Sequence, residues 1–428
     1  MSDITGPVGA DGELSLSDVE AARDRIGELV RETPLWPSRV LSDQFGAPVL
    51  LKCENLQRTG SFKLRGASNM LAMQDPPPAG VVAASAGNHA QGVALAAAQR
   101  GIPATALMPA DAPLAKQQAT AGYGAEVALV DGPLALAIER AWSLAKERGL
   151  LLVPPFDHPA VVAGQGTVGL EIAGQEPELE TVLVPAGGGG LLAGVALAVK
   201  SLRPRARVIG VQAGAMRGIV DSRAAGEPRP VPAARTIADG VAVAGPSTLT
   251  LSLIERYVDD VVTVSEEAIA RAVVFLMERA RLVVEGAGAL GVAALLSGAA
   301  APRGRTVVIL SGGNIDINLL GRIVERGLLV EGRSRNLTIA AANVPGELAL
   351  ITGAAAEAAA NIIKVDHELV TTELPVGVAR VTLRLEVAGD EAFAELIETL
   401  LAAGLVRAQL TDLATAAAAS MSARPGSA

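Results

Sequence analysis

Lys63 is one of only six lysines set against thirty arginines, and its surroundings are not those of a surface charge. The stretch Glu54-Asn55-Leu56-Gln57-Arg58-Thr59-Gly60-Ser61-Phe62-Lys63-Leu64-Arg65-Gly66-Ala67 brings a Gly-Ser turn and an aromatic ring to Lys63 just where a helical pattern begins. An ammonium that is partly desolvated at a helix N-terminus is disfavoured against the neutral amine. The neutral amine is a nucleophile and a base. A second segment, Ser85-Ala86-Gly87-Asn88-His89-Ala90-Gln91-Gly92, lies between a strand pattern and a helix pattern. Its backbone amides and short polar side chains suit a carboxylate; alone, an ordinary capping turn explains it as well.

Pro185-Ala186-Gly187-Gly188-Gly189-Gly190-Leu191 is a third such turn. Consecutive glycines let several backbone amides converge on one phosphate, helped by the dipole of the helix that follows. It has neither the Gly-Lys-Ser/Thr end of a nucleotide-hydrolysing loop nor a G-x-G-x-x-G dinucleotide fingerprint. The fourth, Leu310-Ser311-Gly312-Gly313-Asn314, follows a strand pattern, and its serine can hydrogen-bond a ring nitrogen. An amine, a phosphate cradle, a carboxylate turn and a ring-nitrogen partner are together what holding pyridoxal phosphate and an amino acid requires.

These turns need rigid elements behind them. From about residue 18 to 330, short apolar strands over 81–85, 104–108, 126–130, 181–184, 208–211 and 306–310 alternate with helical stretches such as 91–100, 133–148 and 190–201. That alternation predicts an α/β domain of parallel sheets covered by helices, with ligands beyond the carboxyl ends of the strands. The last hundred residues change plan. Strands over 337–342, 362–372, 378–387 and 406–410, with helices over 344–360 and 391–403, give the β-α-β-β-α-β order of a ferredoxin-like α+β domain. The expected division is a flexible N-terminus over 1–17, a catalytic domain over 18–330, a linker near 330–336, a small domain over 336–410, and a disordered Ala/Ser-rich tail over 411–428.

Composition narrows the class. The 428 residues carry a net charge of −9, half of them are apolar, and only nine are aromatic. A core of Ala, Val, Leu and Ile follows, and binding to nucleic acid or an anionic membrane is not expected. The single cysteine, Cys53, excludes an intrachain disulfide framework and a zinc–thiolate site. The acidic start shows no secretory signal. The one long uncharged run, 182–199, holds a proline and five glycines and reads as strand, turn and helix rather than a membrane span. A cytoplasmic protein is expected.

Residues 18–330 resemble the threonine/serine dehydratase family of pyridoxal-phosphate enzymes of fold type II, the tryptophan synthase β-like fold. Seven stretches carry the likeness in order: E-N-L-Q-R-T-G-S-F-K-L-R-G-A at 54–67, S-A-G-N-H-A-Q-G at 85–92, A-G-Q-G-T at 163–167, G-G-G-G-L at 187–191, T-I-A-D-G at 236–240, E-G-A-G-A at 285–289 and S-G-G-N at 311–314. Residues 336–410 resemble an ACT domain through strand order and Val344-Pro345-Gly346. The resemblance implies that Lys63 bonds the cofactor and takes the substrate's α-proton, with Phe62 against the ring. It implies Asn88 on the phenolic oxygen, Gly187, Gly188, Gly189 and Gly190 on the phosphate, and Ser311 on the ring nitrogen. Ser85, Gly87, Asn88 and His89 would hold the substrate carboxylate.

The implied reaction is loss of water from L-threonine to give 2-oxobutanoate and ammonia, with L-serine as a further substrate. An L-serine-preferring lyase, a serine or threonine racemase, and a non-catalytic amino-acid sensor are the alternatives. Two departures bear on them. The position that supplies a second serine to racemases of this kind is Ala86, and the positions of two metal carboxylates in metal-dependent relatives are Gln212 and Gly218, so no metal is expected. His89 reads equally as a satisfied turn histidine, Cys53 as a small buried residue, and Glu285 as either a neighbour of the cofactor ring or a helix-start carboxylate. Asp239 has no evident role. The ACT-like part implies an amino-acid effector, isoleucine or valine, and a homodimer or homotetramer; isoleucine biosynthesis is one expected role, with catabolic use left open.

Overall fold

The computed structural model describes residues 13–330, 332–369 and 374–405. The chain divides into two compact units, Met1–Leu319 and Leu320–Ala428. The division falls before the 330–336 linker expected from composition, because apolar residues at helical spacing continue the chain as the helix Ile317–Val330. Most of the expected flexible N-terminus lies outside the described residues. Its last part does not fit that expectation: Leu14 is buried, and a helix begins at Leu16 behind the capping serine Ser15.

The first unit holds two sheets. In the larger, six strands lie in the order Leu35–Pro37, Val49–Lys52, Thr306–Ile309, Thr181–Pro185, Arg207–Ala213 and Asp260–Val264; only the first runs antiparallel to its neighbour. In the smaller, Glu126–Val130, Ala104–Pro109, Val81–Ala84 and Leu151–Leu152 are parallel. The central strands are buried on both faces and read as continuous Val/Leu/Ile runs, as parallel strands covered by helices must. Leu35–Pro37, Val49–Lys52, Leu151–Leu152 and Asp260–Val264 are additions to the strands expected from sequence.

Three helices meet behind the lysine segment. Pro159–Gln175 is apolar on nearly every side and buried along most of its length; it packs on both Lys63–Ala72 and Gly190–Leu202. Glycines permit the approach. A Cβ on Gly164 would fall 2.7 Å from the Arg65 carbonyl oxygen and the Gly66 Cα, and one on Gly166 would fall 2.9 Å from the Gly194 carbonyl. Main-chain atoms cannot rotate away, so Gly164→Ala is expected to force the helices apart and cost about 1–3 kcal/mol. A thermal unfolding midpoint unchanged from wild type would contradict this packing account.

The second unit has a three-stranded antiparallel sheet, ordered Ser334–Ala342, Val378–Glu386, Asn361–Glu368. Its helices Glu347–Glu357 and Asp390–Ala402 bury Ile351, Leu396 and Leu400 with Leu337, Ile339, Val381 and Leu383. This is the ferredoxin-like order over its first five elements. The expected sixth element, 406–410, and the tail over 411–428 lie outside the described residues. Among the described residues no helix is long and apolar enough to cross a membrane.

Candidate active site

The site lies at the carboxyl ends of the parallel strands, where the four turns converge. Lys63 is the first residue of its helix. The turn before it is fastened to the segment around Ser311: the Phe62 N–H donates to the Ser311 carbonyl at 3.1 Å, and Ser61 bridges Gly312. The Lys63 Nζ donates to the Pro155 carbonyl at 2.8 Å and stands 5.2 Å from the centre of the Phe62 ring. Burial lowers its pKa to about 8, with the Glu285 carboxylate holding it back from falling further. The amine is thus partly neutral near physiological pH, as a nucleophile needs.

The glycine turn lies beside this amine. Phe156, next to Pro155, packs its ring against the loop, and a Cβ on Gly188 would fall 2.4 Å from that ring. Gly189 has φ +93°, a left-handed conformation natural to glycine. The helix Gly190–Leu202 then begins, directing its free N–H groups toward the turn. The Thr250 hydroxyl donates to the Gly188 carbonyl at 2.9 Å and fixes the loop from below.

The carboxylate turn is more occupied than its sequence suggests. The helix begins at Asn88, three residues before the expected 91. The Gly87 N–H donates to the Ser85 hydroxyl at 3.2 Å. The Asn88 amide donates to Glu285 Oε1 at 2.7 Å and accepts from the Asn314 amide at 2.8 Å. The buried His89 ring lies 2.7 Å, through Nε2, from the Val153 carbonyl. Burial, then the nearby Lys63, lowers its pKa to about 3, so the ring is a neutral brace whose Nε2 is taken by Val153. Glu285, open to two readings from sequence, stands within this cluster. Burial, then Asp239, raises its pKa to about 7, against the pull of Asn88, Lys116 and Lys63.

Other motif positions hold the scaffold. Arg65 makes a two-pronged contact with Glu54 at 2.8 Å on each side and reaches Glu171 at 2.6 Å. Lys52 adds a 2.6 Å contact to Glu171. Arg65, Glu54 and Lys52 are fully buried. Gln212 accepts from the Ile219 and Val220 N–H groups and donates to the Met216 carbonyl, so its amide shapes a turn. His158 caps the helix Pro159–Gln175 through Nδ1. Burial pushes the Cys53 thiol up to about 12, which leaves it inert as a nucleophile. Asp239, without a role from sequence, pairs with Lys116 at 2.5 Å. No local signal could reveal that pair, because its partners lie 123 residues apart and Lys116 belongs to no motif.

This donor set fits pyridoxal phosphate. It offers a partly neutral amine, a glycine cradle with no room for side chains at Gly188, and a buried Ser61 hydroxyl without a protein partner two residues before Lys63. The buried amine also gives a testable pH dependence. With a pKa near 8, about one lysine in ten is neutral at pH 7 and about nine in ten at pH 9. Cofactor uptake by stripped protein, followed by visible absorbance, is expected to quicken about ninefold across that range and then level off. A rate still climbing beyond pH 10 would mean that Lys63 titrates as an ordinary lysine.

Comparison with known proteins agrees. The family model described as "Pyridoxal-phosphate dependent enzyme" matches residues 26–312. An L-threonine ammonia-lyase of Thermotoga maritima is 44% identical over 393 residues, 91% of this chain and 98% of its own. The crystal structure of a T.th. threonine deaminase is 43% identical, with a TM-score of 0.68 over 71% of this chain and 99% of its own. Maize serine racemase is 35% identical, with a TM-score of 0.69 over 73% and 98%. The chain belongs to the fold type II pyridoxal-phosphate dependent enzymes, in the family of the L-threonine ammonia-lyases.

Proposed function

We propose that the protein removes water from L-threonine and releases 2-oxobutanoate and ammonia, with L-serine, giving pyruvate, as a second substrate. The observation that carries this reading is the buried Lys63 amine, its pKa lowered to about 8, at the meeting of the glycine cradle and the carboxylate turn. When bound, pyridoxal phosphate supplies an aldehyde for the amino group and a conjugated ring that accepts electron density from Cα.

The chain's own residues do the rest. The N–H groups of Gly187, Gly188, Gly189 and Gly190 would hold the phosphate at a helix N-terminus. Phe62 would lie against the ring, and the Ser311 hydroxyl would meet the ring nitrogen. Asn88 would face the phenolic oxygen with the amide hydrogen that Glu285 leaves free. Backbone N–H groups of Gly87, Asn88 and His89, with the Ser85 hydroxyl, would orient the substrate carboxylate. Lys63 Nζ would hold the cofactor at rest and take the Cα proton once displaced. The neutral Ser311 hydroxyl would not hold a proton on that nitrogen as a carboxylate would, so the ring would accept electron density from Cα less strongly.

Racemisation needs a proton donor on the opposite face of the substrate. Ala86, which packs with the apolar core of the smaller sheet, offers none. The test is to incubate the cofactor-loaded protein with L-threonine and follow 2-oxobutanoate and D-allo-threonine, the product of inversion at Cα alone, together. Oxoacid without D-allo-threonine supports the proposal; D-allo-threonine as the main product would replace it with the racemase reading. An amino-acid sensor would show neither.

The second unit supports the remaining part of the proposal. Its strand order and the turn before Glu347, with Gly346 at φ +95°, support reading 336–410 as an ACT-like module. We infer that isoleucine or valine binds there and restrains the enzyme, in an isoleucine-forming role, in a homodimer or homotetramer in the cytoplasm. Catalytic rates unchanged by either amino acid would remove the regulatory part.

A further inference from the structure

At the mouth of the site lies an ion pair for which the proposed roles have no use. Lys116 belongs to the helix Leu114–Gly122, which follows the strand Ala104–Pro109 of the smaller sheet. Its Nζ is 2.5 Å from Asp239 Oδ2 and 3.6 Å from where a Cβ on Gly87 would stand. Asp239 opens the short turn Asp239–Val241. That turn roofs the site: a Cβ on Gly240 would lie 3.3 Å from Glu285 Oε1, and one on Gly187 would lie 3.0 Å from the Val241 Cα. The pair therefore ties the edge of the carboxylate turn to the loop backing the phosphate cradle.

We propose that Lys116 is a substrate-carboxylate ligand held ready by Asp239: as an amino acid enters, the ammonium leaves Asp239 and takes the incoming carboxylate over the Ser85–His89 turn. This rests on reading the site as one for amino acids. Three observations carry it. The charged groups that act on Glu285 are two cations, Lys63 and Lys116, and one further carboxylate, Asp239. Lys63 is assigned to the cofactor, so an entering carboxylate would meet Glu285 and Asp239 with Lys116 as the one remaining cation of the group. The pair is also lopsided, with the Lys116 side chain 12% exposed and Asp239 48%. Water can solvate the half-exposed Asp239 when the pair opens, while the shielded Lys116 ammonium needs a new anionic partner and interacts with it strongly. Finally, Gly87 has no side chain between Lys116 and the turn.

The test uses butanoate, a carboxylate without the amine or hydroxyl needed for reaction, and measures its binding to the cofactor-loaded enzyme by calorimetry. Lys116→Met is expected to weaken butanoate about tenfold or more, as loss of a charge-assisted hydrogen bond implies. The KM for L-threonine should rise by a similar factor while kcat changes less. Lys116→Arg should recover most of the binding, and Asp239→Asn should bind butanoate at least as tightly as wild type, because the competing carboxylate is gone. Equal butanoate binding by wild type and Lys116→Met would overturn the proposal. So would Asp239→Asn weakening it as much as Lys116→Met, which marks a structural clamp, or wild type taking up no butanoate. Failure of the reaction reading shows separately, as no oxoacid from L-threonine while butanoate binding still depends on Lys116.

Discussion

Lys63→Ala is expected to abolish oxoacid formation from L-threonine, with a fall of about 10⁴-fold or more, because in the proposed reaction one amine would both attach the cofactor and move the proton. The same variant should lose the visible absorbance of lysine-bound cofactor. The fold should survive: the substitution removes a buried amine whose desolvation already lowers its pKa, and leaves only the Pro155 carbonyl without its donor. Lys63→Arg separates chemistry from charge. A guanidinium keeps the positive charge near Glu285 but stays protonated in proteins, so it can neither attach the cofactor nor take a proton. Oxoacid output within tenfold of wild type from either variant would remove Lys63 from the centre of the mechanism.

The second large effect is on stability. Arg65 is fully buried between Glu54 and Glu171. Burial alone would lower its pKa, but the two carboxylates outweigh that and hold it raised. Glu54 is the mirror case: burial favours its neutral form, and Arg65 above all holds it ionised. Removing one partner of such a group leaves a buried charge uncompensated, at about 3–5 kcal/mol. Arg65→Met is expected to lower unfolding stability in urea by that amount, since it takes the guanidinium from buried Glu54, while Glu171 keeps Lys52. Glu54→Gln should cost less, because Arg65 keeps Glu171. An order of effects reversed from this would mean that Glu54, not Arg65, is the keystone.

Much of this is readable in the residues, for identifiable reasons. A parallel strand buried on both faces spells a continuous Val/Leu run, so the expected 181–184 agrees within a residue with Thr181–Pro185; the expected 126–130 coincides with Glu126–Val130, an edge strand with only Val130 buried. The lysine segment is legible because turn, ring and helix start are adjacent in the chain. What escapes depends on pairs remote in sequence. The Asn88–Glu285 bond spans 197 residues. His89 has the type of a ligand, but its ring turns to Val153, a strand end that no local pattern places beside it. Asn88 reads as turn rather than first helical residue because Gly-Asn-His is turn-like; the chain has already reversed at Ser85–Gly87.

In the larger sheet, the strand Thr306–Ile309 lies between Val49–Lys52 and Thr181–Pro185. Two strands synthesised early are thus kept apart until one synthesised much later slips between them. The same late segment supplies the carbonyl that fastens Phe62 and the bridge to Ser61. Contacts this distant in sequence form slowly. A nascent chain on the ribosome therefore has a lysine but no seat for a cofactor until its last ~120 residues begin to emerge. Cofactor capture then becomes a certificate of completed assembly: a chain stalled or cleaved before Thr306 has no finished site in which to hold it.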